Sequence, residues 1–473
     1  MRNAAPVWDL VEARKAPLIA LSDAVWAVPE LNFTEFRSVA LHADALRAEG
    51  FRVTPAVGGL PTAVMGEAGE GGPVIAFLGE YDALPGLSQE AGLTRHQPVP
   101  GDGNGHACGH NLLGSASLLA ATAVKDWLAA TGTPGRVRYY GCPAEEGGAG
   151  KGFMVRAGVF DDVDAAISWH PYAFATVFPP AALANIRLDF TFTGRAAHAA
   201  AAPHLGRSAL DAAELMNVGV NYLREHMLPS SRIHYAYQDA GGAAPNVVQS
   251  RTVIRYTVRA AELDDMLALA QRVRRVAEGA ALMTETTVTC QVVSGMANLL
   301  GNPPLEAAMQ ANLERLGPPP FDESDRAFAR DMQATFNPED IAAALRQVGL
   351  PADTDRPLCD AILPYPSPAG PILLGSTDVG DVSWVVPTVQ ALGATCAIGT
   401  TLHSWQMTAQ GKSSVAHKGM VHVAKVMAAT ATDILSDPAL LDRAKRDHAD
   451  RLRRQPYVSP MPPDTHPPIQ ACP

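Results

Sequence analysis

Short apolar runs recur along the chain, and each stops at polar or glycine-rich residues. PVIAFLG runs into Glu80-Tyr81-Asp82, and RVRYYGCP into Ala144-Glu145-Glu146-Gly147-Gly148. DAAISW runs into His170-Pro171, and ATCAIGTT into Leu402-His403. Runs of this length read as strands buried on both faces. Between the first two lies LLGSASLLAATAVKDWLAA, a helix of small and apolar residues able to pack closely on a sheet. Residues 7–50 carry apolar positions three and four apart and read as helical, stopping at Glu49-Gly50. Alternating strands and helices predict an α/β fold with a mostly parallel sheet and helices on both faces. Such sheets place ligands outside the carboxyl ends of their strands, where these polar residues gather.

The middle of the chain changes period. ANIRLDFTFTG alternates as a half-exposed strand, and RSALDAAELMNVGVNYLREHM is an amphipathic helix. SRIHYAYQ and RTVIRYTVRA read as strands, LDDMLALAQRVRRVAEGAAL as a second helix and TTVTCQVV as a last strand. The order β-α-β-β-α-β is the ferredoxin-like pattern. It predicts an inserted unit at 186–297 within a catalytic domain formed by 1–185 and 298–473. Residues 300–372 read as a helical elaboration leading back to the sheet. The proline-rich tail after Gln455 reads as extended.

Composition narrows the function. The chain has 473 residues, 47% of them hydrophobic, and a formal net charge of −11. An acidic protein is a poor partner for nucleic acid or an anionic membrane. The first residues are interrupted by charge where a signal peptide would be apolar, and no segment has the length of a membrane span. A cytoplasmic location is expected. The six cysteines, at 108, 142, 290, 359, 396 and 472, form no close pairs. They predict buried small apolar residues rather than a disulfide framework.

Cys108 has more informative neighbours. GHACGH sets His106 and His110 around it, and Glu146, His170 and His403 fall in or just after turns at other strand ends. Any one histidine there could simply cap a turn. Thiolate, imidazole and carboxylate converging from distant segments suit zinc, manganese or cobalt. Five ligands exceed the need of one tetrahedral ion, and two divalent ions about 3.5–4 Å apart use them better. Adjacent carboxylates point different ways, so Glu146 can bind metal while Glu145 faces the reacting water as general base. Asp82 is placed to orient a ligand by hydrogen bonding, with His106 as a further supporting group and Glu80 as either support or a solvent-facing residue. EEGGAGKG and GDGNGHACG fail the spacings of a phosphate loop and a dinucleotide fold.

GHACGHN, CPAEEGG, SWHP, FTGRAAHAAAAPHLGRSALDA and LHSW together resemble the M20 family of metallopeptidases and amidohydrolases, in its aminoacylase-like and auxin-conjugate hydrolase branch. The resemblance covers nearly the whole chain. It implies a zinc-peptidase-like α/β domain with an inserted dimerisation domain. It makes Cys108, His110, Glu146, His170 and His403 metal ligands and Glu145 the base. It gives His198 the task of polarising the scissile carbonyl from a partner subunit, and Asn246 and Arg259 that of holding a substrate carboxylate. The chain departs from its relatives at Asn111, often aspartate, and at Glu80, a histidine in other branches. The implied substrate is an N-acyl amino acid, an aminobenzoyl-glutamate-like compound first, with a dipeptide as the next choice. The implied assembly is a homodimer or a heterodimer with a homologous subunit. A non-catalytic partner subunit and a metal-storage or sensor protein are the rival readings; a complete ligand set with its base argues against the first, and the buried position of the site with the inserted domain over it against the second.

Overall fold

The computed structural model describes residues 4–101, 103–352, 355–367 and 375–470. Two helices, α1 (Ala4–Trp26) and α2 (Phe36–Ala48), precede strands β1 (Arg52–Pro55), β2 (Val64–Glu70) and β3 (Val74–Glu80). Helix α3 (His110–Thr131), strand β4 (Gly135–Cys142), helix α4 (Gly150–Arg156) and strands β5 (Ala165–Tyr172) and β6 (Thr176–Val177) follow. Next come β7 (Ala184–Thr193), α5 (Ala209–Leu223), β8 (Arg232–Asp239), β9 (Arg251–Ala260), α6 (Leu263–Thr284) and β10 (Thr287–Met296). The chain continues through α7 (Pro303–Leu316), α8 (Glu323–Gln333), α9 (Pro338–Gln347), α10 (Val379–Ser383), β11 (Thr388–Ala394), α11 (Trp405–Gln410), α12 (Ser414–Ser436) and α13 (Pro438–Arg454).

One sheet has the order β1-β2-β4-β3-β5-β11-β6. Its four central strands, β4, β3, β5 and β11, run parallel, whereas β1, β2 and β6 join antiparallel at the edges. Every residue of β3 and β11 is buried, as parallel strands covered on both faces require. Helices α1, α3, α7 and α12 bury one apolar core against the sheet. On the opposite face Phe153 and Met154 of α4 and Val379 and Val382 of α10 build a second. The expected α/β layering is present, and the antiparallel edges are additions that the periodicity did not announce.

A second sheet, β10-β7-β9-β8, is antiparallel throughout, and α5 and α6 pack on it around a core of their own. Residues 300–350 form α7, α8 and α9, and the chain after Gln455 has neither helix nor strand as far as residue 470.

Two expectations need correction. Residues 7–50 form two helices rather than one, because Pro29 disfavours helical geometry at Val28. Glu30 then starts α2, its carboxylate accepting from the backbone N–H groups of Arg37 and Ser38 at 2.9 and 2.8 Å. The last sheet strand lies earlier than ATCAIGTT. It ends at Ala394, where the Thr395 N–H gives the last bond to β5 at the Tyr172 carbonyl and the Ile398 N–H turns away to the Pro357 carbonyl. The cysteines also divide. Cys108, Cys142, Cys359 and Cys396 are buried and Cys290 is exposed; all five are free, and Cys472 lies outside the described residues. Among the described residues no helix is long and apolar enough to cross a membrane.

Candidate metal centre and active site

The parallel strands deliver their polar ends to one edge. β3 leads through Glu80 to Asp82, β4 through Cys142 to Glu145 and Glu146, and β5 carries His170 inside the strand, in register with Leu392 of β11. Cys108 lies on the turn before α3, and His110 is the first residue of that helix. Gly109 between them has φ 77°, and a Cβ there would approach Met407 Cε to 2.8 Å, so this turn requires glycine. His403 also sits at positive φ, 61°, with its N–H donating to Ala107 O at 2.8 Å. A histidine held in this region signals a conformation imposed by its surroundings.

Donor atoms of Cys108, His110 and His170 lie within 4.8 Å of one another, as do those of Cys108, Glu146 and His403. Cys108 is common to both groups. A third group joins Glu80, His110 and Glu145. Cys108 Sγ is 3.5 Å from His170 Nε2, and His403 Nε2 is 3.2 Å from Glu146 Oε1. His110 Nε2 is 3.3 Å from Glu80 Oε2 and 4.0 Å from Glu145 Oε2. Buried His110 Nε2, Glu80 Oε2 and Glu146 Oε1 have no hydrogen-bond partner. Thiol, imidazole and carboxylate donors packed this closely are the arrangement a cation satisfies. The donor set, with one thiol, three imidazoles and carboxylates, therefore fits divalent transition metals.

Burial alone would discharge His110, but Cys108 and Asp82 outweigh it and draw its pKa well above the ordinary value. The Asp82 carboxylate accepts at Oδ1 from His110 Nδ1, 2.9 Å, and at Oδ2 from the Glu146 N–H, 2.9 Å. One side chain thus fixes both a histidine and the acidic turn, and it leaves His110 Nε2 facing the cluster. Burial, then Glu80 and Glu146, push the Glu145 carboxyl well above its usual range.

The remaining sequence-derived residues divide. Arg259 lines a cavity of about 300 Å³ together with Cys108, Glu145, Glu146, His170 and His403. Asn246 and His198 do not line it; both are exposed, on segments that touch through the Ala199 N–H donating to Asn246 O at 3.0 Å. The expected pairing of Asn246 with Arg259 is therefore not made within one chain, because Asn246 lies in the exposed loop between β8 and β9 while Arg259 lies on β9 itself. His106 is buried and turned away, its Nε2 against Val25 O at 3.1 Å, and burial lowers its pKa to about 4. It belongs to none of the three donor groups.

Sequence reasoning missed Lys151, Asp378, Arg187, Asn185 and Glu35. Lys151 is fully buried, with Nζ 2.5 Å from Glu80 Oε1 and 2.6 Å from Asp378 Oδ1. Arg187 donates to the Glu146 and Gly147 carbonyls at 3.2 and 3.1 Å. A lysine inside the glycine-rich stretch GGAGKGFM and Asp378 inside GSTDVGDVSW were the visible signals; Arg187 and Asn185 sit on an ordinary alternating strand.

Glu35 accepts the Ala144 N–H at 2.9 Å, and Ala144 precedes Glu145 with φ 59°. Burial, then the charge of Asp82, raises the Glu35 carboxyl to about 8, and its other oxygen is unpartnered. A raised carboxyl pKa gives the folded state a stabilising proton, fully effective below the unfolded value of 4.5 and lost as pH rises toward about 8. Glu35→Gln should therefore gain stability relative to the parent between those pH values, by at most about 1.4 kcal/mol per pH unit. Denaturation midpoints of both proteins at pH 5 and pH 8.5 check this, and a constant difference would contradict it.

Known proteins share this arrangement of sequence and fold. A family model described as Peptidase family M20/M25/M40 matches residues 76–355. The chain is 46% identical over 97% of its length, and 97% of the relative's, to the B subunit of p-aminobenzoyl-glutamate hydrolase from Escherichia coli strain K12. It is 30% identical to the Xaa-Arg dipeptidase of Mus musculus, over 92% of this chain and 90% of the other. Among solved structures it resembles a dinuclear metal-binding peptidase of the M20 family from Bacillus subtilis, with a TM-score of 0.54 and 20% identity, covering 88% of this chain and 98% of that one.

Proposed function

The chain belongs to peptidase family M20/M25/M40, a family of metal-dependent hydrolases, and we propose that it cleaves the amide bond of N-acyl amino acids carrying a free carboxylate. The observation that supports this best is the packing of thiol, imidazole and carboxylate donor atoms around Cys108 and His110, with buried Glu145 beside them on the same cavity. Cys108, His110, Glu146, His170 and His403 are the proposed holders of two divalent ions, zinc or manganese first and cobalt as a further choice. When bound, such ions supply Lewis-acid polarisation and make water acidic enough to deprotonate near neutral pH.

The protein groups then have distinct tasks. Glu145 takes the proton of the attacking water and later returns it to the leaving nitrogen. Its raised affinity for protons suits that cycle. Asp82 holds His110 and the Glu146 backbone in place. Arg259 offers a guanidinium to the substrate carboxylate. Phe178, Met296 and Leu392 give the cavity an apolar wall suited to an acyl group such as aminobenzoyl. The similarity to the Escherichia coli hydrolase makes aminobenzoyl-glutamate the first substrate to try.

We assign 186–297 as an inserted domain that pairs with another polypeptide. Leu215, Val218 and Tyr222 on α5 and Tyr235 and Tyr237 on β8 are exposed on this segment, apolar side chains that a partner chain would cover. The Escherichia coli relative is one of two kinds of chain, A and B, in hydrolases of that name, so a homologous chain stands beside a second copy of this one as the partner. Exposed His198 is the residue expected to reach a neighbour's cavity.

Metal content and turnover measured together test this reading. The expected result is close to two ions per chain, release of amino acid from N-acyl substrates, and loss of both on chelation with recovery when zinc, manganese or cobalt is restored. Turnover that survives complete chelation would defeat it.

A further inference from the structure

Four arginines on the two sheets differ in what answers their charge. Arg138 is bonded to Glu67 and Asp162, and Arg255 forms two bonds with Asp189 at 2.7 and 2.8 Å. Arg187 and Arg259 are half-buried and line the cavity of the metal-binding cluster, yet neither has a carboxylate within ion-pair distance among the described residues. Among the described residues Arg187 donates only to the two backbone carbonyls of the acidic turn, and Arg259 only to Ser376 Oγ at 2.8 Å. A guanidinium has five N–H donors, so each keeps donors for a ligand.

A charge taken from water without a counter-charge is costly, and two side by side are more so. The nearby carboxylates Glu145 and Glu146 are committed to the base and the metals. The anions that complete the site must come from outside.

Register fixes how many. Asn185 on β7 lies directly opposite Arg259 on β9, and Arg187 is two residues further along β7, on the same face. Arg187 and Arg259 are thus diagonal neighbours, with Cα atoms about 7–8 Å apart, a gap that two carboxylates on one short carbon chain can span. Asn185 is 3% exposed, lines the same cavity, and its Oδ1 has no partner. It is an acceptor waiting for a ligand N–H between the two cations.

We propose that Arg187 is the specificity-determining residue of this site: with Arg259 on the substrate's α-carboxylate, Arg187 binds the side-chain carboxylate of a dicarboxylic amino-acid half. This rests on the amidohydrolase reading above and names the residue that selects its substrate's side chain. It also disfavours a basic side chain at that position, where a second cation would face Arg187.

The test uses the full metal-loaded chain carrying Glu145→Gln, so that ligands bind without turnover. Calorimetric titration compares p-aminobenzoyl-glutamate, p-aminobenzoyl-glutamine and p-aminobenzoyl-lysine, which share their acyl group and α-carboxylate. The glutamate compound should bind about tenfold to a hundredfold more tightly than the glutamine compound, the range for a buried charged hydrogen bond. The lysine compound should bind most weakly. Adding Arg187→Gln should bring the glutamate-to-glutamine ratio close to one, while Arg187→Lys keeps part of it. A ratio is read within each variant, so general damage to the acidic turn cancels. Equal affinities in the parent, or a preference that persists in Arg187→Gln, would overturn the proposal. If the chain with Glu145 intact hydrolyses no N-acyl amino acid but the binding ratio holds, the hydrolase reading fails and the dicarboxylate site stands.

Discussion

Glu145→Gln is expected to lower kcat by about 10²- to 10⁴-fold, the contribution of a positioned general acid–base group, and to leave the bound metal content unchanged. The amide keeps the shape of the carboxyl and loses its ability to accept and return a proton. The expectation follows from where Glu145 sits. It is buried, lines the cavity, and has Oε2 4.0 Å from His110 Nε2, but it stands outside the two donor groups that share Cys108. Its neighbour Glu146 is in one of those groups, so Glu146→Gln should do the reverse and lower metal content first. Elemental analysis beside steady-state kinetics separates the two residues. If Glu145→Gln lost metal in proportion to activity, Glu145 would be a ligand and the base would have to be sought elsewhere.

The second large effect concerns stability. Lys151→Met should destabilise the fold by about 3–5 kcal/mol, the usual result of removing one partner from a buried ionic cluster. Lys151 is 0% exposed, and burial alone would discharge it. Asp378 and Glu80 outweigh that cost and hold it above its ordinary pKa. Asp378 also accepts the Lys151 backbone N–H at 2.8 Å, which ties α4 to the segment leading into α10. Methionine would leave two buried carboxylates facing each other, one of them 3.3 Å from His110. Chemical denaturation midpoints measure the loss. Combining Lys151→Met with Glu80→Gln and Asp378→Asn should recover most of it, because no unpaired charge then remains. A stability unchanged in Lys151→Met would show that the cluster is not held by charge.

The legible part of this protein was local. Runs such as PVIAFLG and RVRYYGCP announced buried strands because burial on both faces excludes polar side chains over their whole length. The turn chemistry that ends them was enough to place Asp82, Glu145 and Glu146 at one edge. The β-α-β-β-α-β order of the middle segment was equally readable, since its periods of 2 and 3.6 alternate cleanly. Where local pattern was weak the reading slipped. The helix over 7–50 broke at Pro29, and the strand expected at ATCAIGTT lies some six residues earlier, because an apolar run states burial but not which backbone it pairs with.

By itself, then, the sequence determined the layered architecture and the chemical inventory of the candidate site: a thiol, three imidazoles and paired carboxylates near strand ends. Only the tertiary structure decided what those groups touch. Lys151 meets Glu80 across 71 positions and Asp378 across 227, and Arg187 reaches the acidic turn from a strand of the second sheet. The same folding brings Arg259 to the cavity and leaves Asn246 and His198 outside it. The physical reason is that periodicity records how each residue meets water. The pairing of buried charges depends on distances between segments, and these exist only once the chain has closed on itself.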